Sequence, residues 1–103
     1  MRFGPWYPLD RATDLAPGAE GMLQLRLAEG LVDYPRGKSA MVLYAHAPDV
    51  RAAAVVLAAR YGGRELVCRH LIEIEGATDL AAFCAKLRGE FVRRFGTPPV
   101  YET

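Results

Sequence analysis

The junction at Pro48-Asp49 constrains the fold more than any other feature of this chain. Before it, Ala40–Ala47 reads AMVLYAHA, apolar enough for a central strand. After it, DVRAAAVVLAARY has the composition of a helix and stops at Gly62-Gly63. Proline suits a helix start, and Asp49 in the first turn favours the helix dipole. A strand must therefore turn directly into a helix, which asks for a sheet with a helix packed on it. The helix middle, AAAVVLAA, is apolar on every face. Either the domain covers both sides or one side meets another subunit. For so small a domain we expect the second, a homo-oligomer through Ala52–Ala59.

The rest of the chain supplies partners for this unit. Gly21–Leu27, GMLQLRL, alternates Met22, Gln24 and Arg26 with Leu23, Leu25 and Leu27, the pattern of a half-buried strand. LVDY reads as a short second strand, and PRGKS as a polar turn that interrupts it. RELVCRHLIEI, Arg64–Ile74, is a further strand. A last helix carries Leu80, Phe83, Cys84, Leu87, Phe91 and Phe95 on one face, with Thr78 expected as its N-cap. Gly96, Pro98 and Pro99 end it, leaving VYET as a tail. Residues 1–20 hold Pro5, Pro8 and Pro17 around Phe3, Trp6 and Tyr7, and read as an irregular arm packed on the domain. Residues 21–103 then form one α/β (α+β) domain. Its order is β-(β)-β-α-β-α, a small antiparallel or mixed sheet of three to four strands flanked by helices.

Composition excludes several classes of protein. The chain has 103 residues, enough for a single core, of which 51% are hydrophobic and 24% charged. No apolar run approaches the ~20 residues of a membrane helix, so no membrane partner is expected. Two cysteines are too few for a disulfide scaffold, and the first residues lack a signal-peptide pattern, so a cytoplasmic location is expected. The net charge of +1 argues neither for nor against nucleic acid. Lys38 and Lys86 are the only lysines. The excess of arginine suits phosphate recognition, but an Ala-, Gly- and Arg-rich sequence reads first as the mark of a GC-rich genome.

Three candidate sites stand or fall on spacing. GKS at Gly37–Ser39 looks like the end of a phosphate-binding loop, but such a loop needs glycine five positions earlier and a helix directly after. Val32 stands at that position and a strand follows, so the match fails. Cys68 and His70 share a strand face, with His46 and Cys84 elsewhere, yet no CxxC or HxxxH spacing marks a zinc site. Both cysteines read as small core residues, and no metal is expected. A Cys–His nucleophile pair would also need an orienting group and an oxyanion site, and nothing marks either.

From Ala16 to Tyr101 the chain resembles a diverged GIY-YIG nuclease-superfamily domain. The resemblance rests on APGAEGMLQLR, on VLYAHAPDVRAAA and on LRGEFVRRFGTPPVY. It implies an antiparallel sheet flanked by helices. It also implies a tyrosine that helps activate water, a helix arginine that stabilises phosphorane charge, and a last-helix glutamate that holds a divalent metal. At the tyrosine position of the first motif this chain has Leu23. The second motif is either Leu43-Tyr44-Ala45 or Tyr44-Ala45-His46. The helix keeps Arg51 but has Ala53 where the catalytic arginine is expected, and the glutamate position falls near Arg88, with Glu90 two residues away. GLVDYPRGKS is an insertion between the motifs.

The resemblance therefore implies a framework kept without its chemistry: a catalytically inactive binding or assembly module, with protein–protein interaction ahead of nucleic-acid binding. A DNA or RNA surface would use Arg36, Lys38, Arg51, Lys86, Arg88, Arg93 and Arg94. The alternative is a structure-specific DNA endonuclease with a rearranged site using Tyr34 or Tyr44, His46, Arg51 and Glu90, and Mg²⁺ or Mn²⁺ as cofactor only in that case.

Overall fold

The computed structural model describes residues 1–102. The elements in order are β1 (Arg2–Phe3), β2 (Tyr7–Pro8), a 3₁₀ turn (Leu9–Arg11), α1 (Ala12–Leu15), β3 (Gly21–Leu27), β4 (Val32–Tyr34) and β5 (Gly37–Ser39), then β6 (Met41–Ala47), α2 (Val50–Tyr61), β7 (Leu66–Glu73) and α3 (Leu80–Phe95). The protein is a mixed α+β fold. Its main sheet runs β1-β7-β3-β6, with β2 also on β7, and all its pairings are antiparallel. β4 and β5 form a separate hairpin. Among the described residues no helix is long and apolar enough to cross a membrane.

β3 lies between β6 and β7, and its alternation sorts two cores. Leu23 and Leu25 face Val50 and Ala54 of α2 and Ala12 and Ala16 beside it. Met22 faces Leu80 and Cys84 of α3, with Leu71 of β7. The half-buried expectation for β3 is corrected here: Met22 is 0% and Gln24 4% exposed, because α3 covers the face that the sequence pattern assigned to solvent. Gln24 is not stranded there, since its side-chain oxygen accepts from Arg69 Nε at 2.7 Å.

The β6 expectation holds, and its register carries a bulge. Leu25 pairs with Leu43 and Arg26 with Met41, so Val42 is the extra residue, fully buried. Close contact also fixes the start of β3. A Cβ on Gly21 would lie 2.8 Å from Val50 Cγ2, so glycine is what lets α2 approach the strand.

Helix starts differ from expectation by one residue each. Asp49 is the N-cap of α2 rather than a first-turn residue, accepting from the Ala52 N–H at 3.0 Å. Asp79, not Thr78, caps α3 in the same way through Ala82, at 3.0 Å, while the Thr78 hydroxyl donates to the Glu75 carbonyl. A carboxylate one residue nearer the helix reaches the N3 amide that the threonine would have taken. α3 ends at Gly96, whose φ of 88° is left-handed and whose N–H donates to Val92 at 2.8 Å.

Two loop readings change. GKS is not a turn but strand β5, and the hairpin turn is Pro35-Arg36. The segment read as an irregular arm contributes β1 and β2 along the outer edge of β7. Proline is tolerated there because an edge strand does not use every N–H in a ladder.

Candidate functional site

The free edge of β6 is the place where expected site residues meet. It pairs with β3 on one side and, among the described residues, has no strand on the other. α2 and α3 rise on opposite faces of the sheet beside this edge, and the C-terminal residues close one end. Between them lies a cleft of about 610 Å³ that includes Tyr44, His46, Arg60, Arg88, Tyr101 and Glu102.

Arg88 organises the cleft. Its Nε donates to Glu102 Oε1, and its Nη2 donates to the Tyr44 carbonyl at 2.9 Å. The pair is unequally shielded, with 41% of the Arg88 side chain exposed but 8% of Glu102. Desolvation is the largest influence and opposes the Arg88 charge, but the hydrogen bond to Glu102, the Glu102 charge and Cys84 together outweigh it and leave the guanidinium above its ordinary pKa. Glu102 Oε2 is buried and has no hydrogen-bond partner among the described residues. A buried acceptor left without a donor costs about 1–3 kcal/mol, more when charged.

The tail that carries Glu102 is held from several sides. Tyr101 stacks on Tyr61 with centroids 4.3 Å apart and planes 8° from parallel. Its N–H donates to the Val42 carbonyl on the β6 edge at 3.0 Å, and the Arg64 guanidinium lies 5.3 Å from its ring centroid. Tyr34 adds a second anchor: its hydroxyl donates to the Met41 carbonyl at 2.7 Å and accepts from the Val100 N–H at 3.2 Å. Tyr34 is thus occupied in packing, 8% exposed.

Burial disfavours the ionised form of two cleft side chains, Tyr44 and Cys84. Burial pushes the Tyr44 hydroxyl up, and the charge of Glu102 pushes it further. Burial also raises the Cys84 thiol, with the Arg88 charge opposing it. His46 is turned to the rim, its Nε2 2.7 Å from Glu20 Oε2.

The remaining predicted residues do not converge on the cleft. Arg51 Nε donates to the Ala16 carbonyl at 2.9 Å, tying α2 to the segment after α1. Arg36 Nη1 donates to the Arg93 carbonyl at 3.0 Å, and Lys38 pairs with Asp33 at 3.4 Å. Lys86, Glu90, Arg93 and Arg94 are exposed on α3. Leu23, at the tyrosine position of the resemblance, is fully buried under α2, whereas Arg88 stands on the α3 side.

Cysteines and histidines are divided by the sheet. Cys68 and His70 lie on the α2 face, and His46 and Cys84 belong to the α3 side. Among the described residues no three His, Cys, Asp or Glu side chains are grouped to hold a metal ion. On the α2 face, burial raises Cys68 to about 11, and burial lowers His70, whose Nδ1 lies 2.8 Å from the Tyr7 hydroxyl oxygen.

Sequence reasoning missed Glu102, Arg60 and Tyr101. VYET reads as a tail because four residues carry no periodicity, and only long-range bonds give Val100, Tyr101 and Glu102 a place. It also missed a stack on the α3 side of the sheet. There Arg26 lies 4.1 Å and Arg69 4.5 Å from the Trp6 ring centroid, and Arg69 lies 4.6 Å from that of Phe3. The aromatic run Phe3, Trp6, Tyr7 was the available signal.

A second surface is the outward face of α2. Val55 is 47% and Val56 58% exposed, with Ala52 and Ala59 exposed beside them. Leu15 of α1, which packs against α2, adds another exposed apolar side chain, 47% exposed.

No family model matches the chain, and it has no match among the curated proteins or the solved structures.

Proposed function

We propose that this protein is a catalytically inactive assembly module that docks α2 against α2 of a second copy. The observation that carries this reading is the outward stripe Ala52, Val55, Val56 and Ala59, apolar and exposed. The small ends of the stripe allow close helix approach. An antiparallel pairing sets Asp49, at the start of one α2, near Arg60 at the end of the other, while Arg51 is drawn aside by Ala16. α2 has 12 residues, about 18 Å of helix. Such a contact falls short of the ~1,600 Å² of a standard interface, so the dimer is expected to be weak and concentration-dependent.

Several observations support assembly over catalysis. In the GIY-YIG resemblance the first-motif tyrosine is replaced by a core leucine, and Arg88 at the metal-carboxylate position is bonded to Glu102. The basic residues proposed for nucleic acid are scattered, and Arg36, Lys38, Arg51 and Arg88 each have a partner within the chain.

Sedimentation equilibrium across a hundredfold concentration range tests the reading. The wild type should dimerise and Val56→Glu should remain monomeric with an unchanged circular-dichroism spectrum. A wild type monomeric at every concentration rejects it. Duplex or branched DNA cleaved with Mg²⁺ or Mn²⁺, and spared by Glu90→Ala, would replace it with the endonuclease alternative; steeply salt-dependent binding without cleavage would favour nucleic acid.

A further inference from the structure

We infer that the cleft at the free edge of β6 binds a small zwitterion of the aliphatic amino-acid type. Its carboxylate would sit between Arg60 and Arg88, its ammonium at Glu102, and its side chain against Leu43 and Leu57. The volume of about 610 Å³ is ample for such a ligand, and small-molecule sites commonly combine an apolar lining with a few polar groups.

Each group has a stated reason to take part. Arg60 stands exposed at the end of α2 and makes no ion pair among the described residues. Arg88 leaves 41% of its side chain exposed after bonding Glu102 and Tyr44. Guanidinium groups on opposite walls suit a planar carboxylate, which accepts paired N–H bonds. Glu102 brings the opposite charge: it is 8% exposed, lines the cleft and keeps Oε2 without a donor among the described residues. An ammonium is a compact cation that matches the carboxylate charge where Glu102 lines the cleft.

Other occupants fit less well. An added peptide strand needs the outward carbonyls of β6, but Tyr101 N–H occupies Val42 and Arg88 occupies Tyr44. A polyanion would meet the Glu102 carboxylate. A metal ion finds no group of three ligands among the described residues. The wall bearing Glu102 is already set by the Tyr61–Tyr101 stack, so little ordering is left for binding to supply.

Amide chemical-shift titration with L-leucine, L-leucinamide and 4-methylpentanoate tests the inference at a protein concentration low enough to keep the chain monomeric. Leucine should produce saturable shifts at Ala45, Leu57 and Arg60. The amide lacks the carboxylate and the acid lacks the ammonium, so each should bind about tenfold or more weakly. Arg60→Ala should erase the preference for leucine over leucinamide, and Glu102→Gln the preference for leucine over 4-methylpentanoate. Should Glu102→Gln loosen the tail and unfold, the surface variant Arg60→Ala still decides the carboxylate half. Val56→Glu should bind leucine like the wild type, which separates this site from the dimer contact. Absence of saturable shifts up to the solubility of leucine, or equal binding of all three probes, overturns the inference.

Discussion

The helices on the two faces of the sheet are built on opposite plans. α3 turns Leu80, Cys84 and Phe91 inward and leaves Lys86, Glu90, Arg93 and Arg94 outside. α2 turns Val50 and Ala54 inward but leaves Val55 and Val56 outside, equally apolar. The face beneath α2 holds Leu23 and Leu25, whereas the face beneath α3 also accommodates Gln24 and the two arginines stacked on Trp6, Arg26 and Arg69. Hydrophobic patterning therefore decides which side of α3 enters the core. In α2, side-chain size and fit to the strand must decide, as the close approach of Val50 to Gly21 illustrates.

The largest effect expected from this contrast is on single apolar truncations. Phe91 is 4% exposed and meets the rings of Tyr34, Tyr44 and Phe95 at centroid distances of 4.9, 6.0 and 4.5 Å. Phe91→Ala should lower stability in urea unfolding by about 3–5 kcal/mol. Val56→Ala should stay within about 0.5 kcal/mol, because the side chain is 58% exposed in the monomer. A comparable loss from both, measured at low concentration, would break the distinction between an inward and an outward face.

The caps should behave alike despite the different helices they start. Asp49→Ala and Asp79→Ala each remove a carboxylate that accepts at 3.0 Å from a backbone N–H. Each is expected to cost about 1 kcal/mol, read from the same urea curves. A much smaller loss for Asp49→Ala would mean that packing against Gly21, not the cap, fixes where α2 begins.

The smallest effect concerns pH and sharpens the contrast on the α2 face alone. Burial holds His70 below its ordinary pKa, so between that value and the unfolded value of ~6.5 the unfolded chain binds more protons than the folded one. The stabilisation is present above the unfolded pKa and is lost as pH falls through the folded one. Unfolding midpoints measured from neutral to mildly acidic pH should therefore decline, and His70→Gln should flatten that part of the profile. Glu73 does not confuse the window, because the bond to Arg2 holds its carboxylate below the usual range. An unaltered slope in the variant would show that the imidazole is not the group responsible.

Legibility in the sequence followed the range of the interactions involved. The α3 stripe, the β6 strand and the stop at Gly62 were readable because adjacent turns or alternate residues define them. Thr78 and GKS were misread where one-residue shifts matter: Asp79 outcompetes Thr78 for the cap, and Gly37–Ser39 becomes a strand only once Val32–Tyr34 lies opposite. Tyr44, His46 and Arg88 were named as separate candidates, yet no spacing placed them in one cleft with Glu102. Arg51 looked like a free cation until the Ala16 carbonyl supplied its partner.

By itself the sequence determined the α+β character and the strand-to-helix turn at Pro48-Asp49, because these depend on local periodicity, on proline's fixed φ and on capping. The tertiary structure decided which apolar side of α2 is left in water, that β3 is covered on both faces, and that Tyr101 and Glu102 become the wall of a cleft. Those outcomes rest on contacts between distant residues, whose partners a linear pattern does not name.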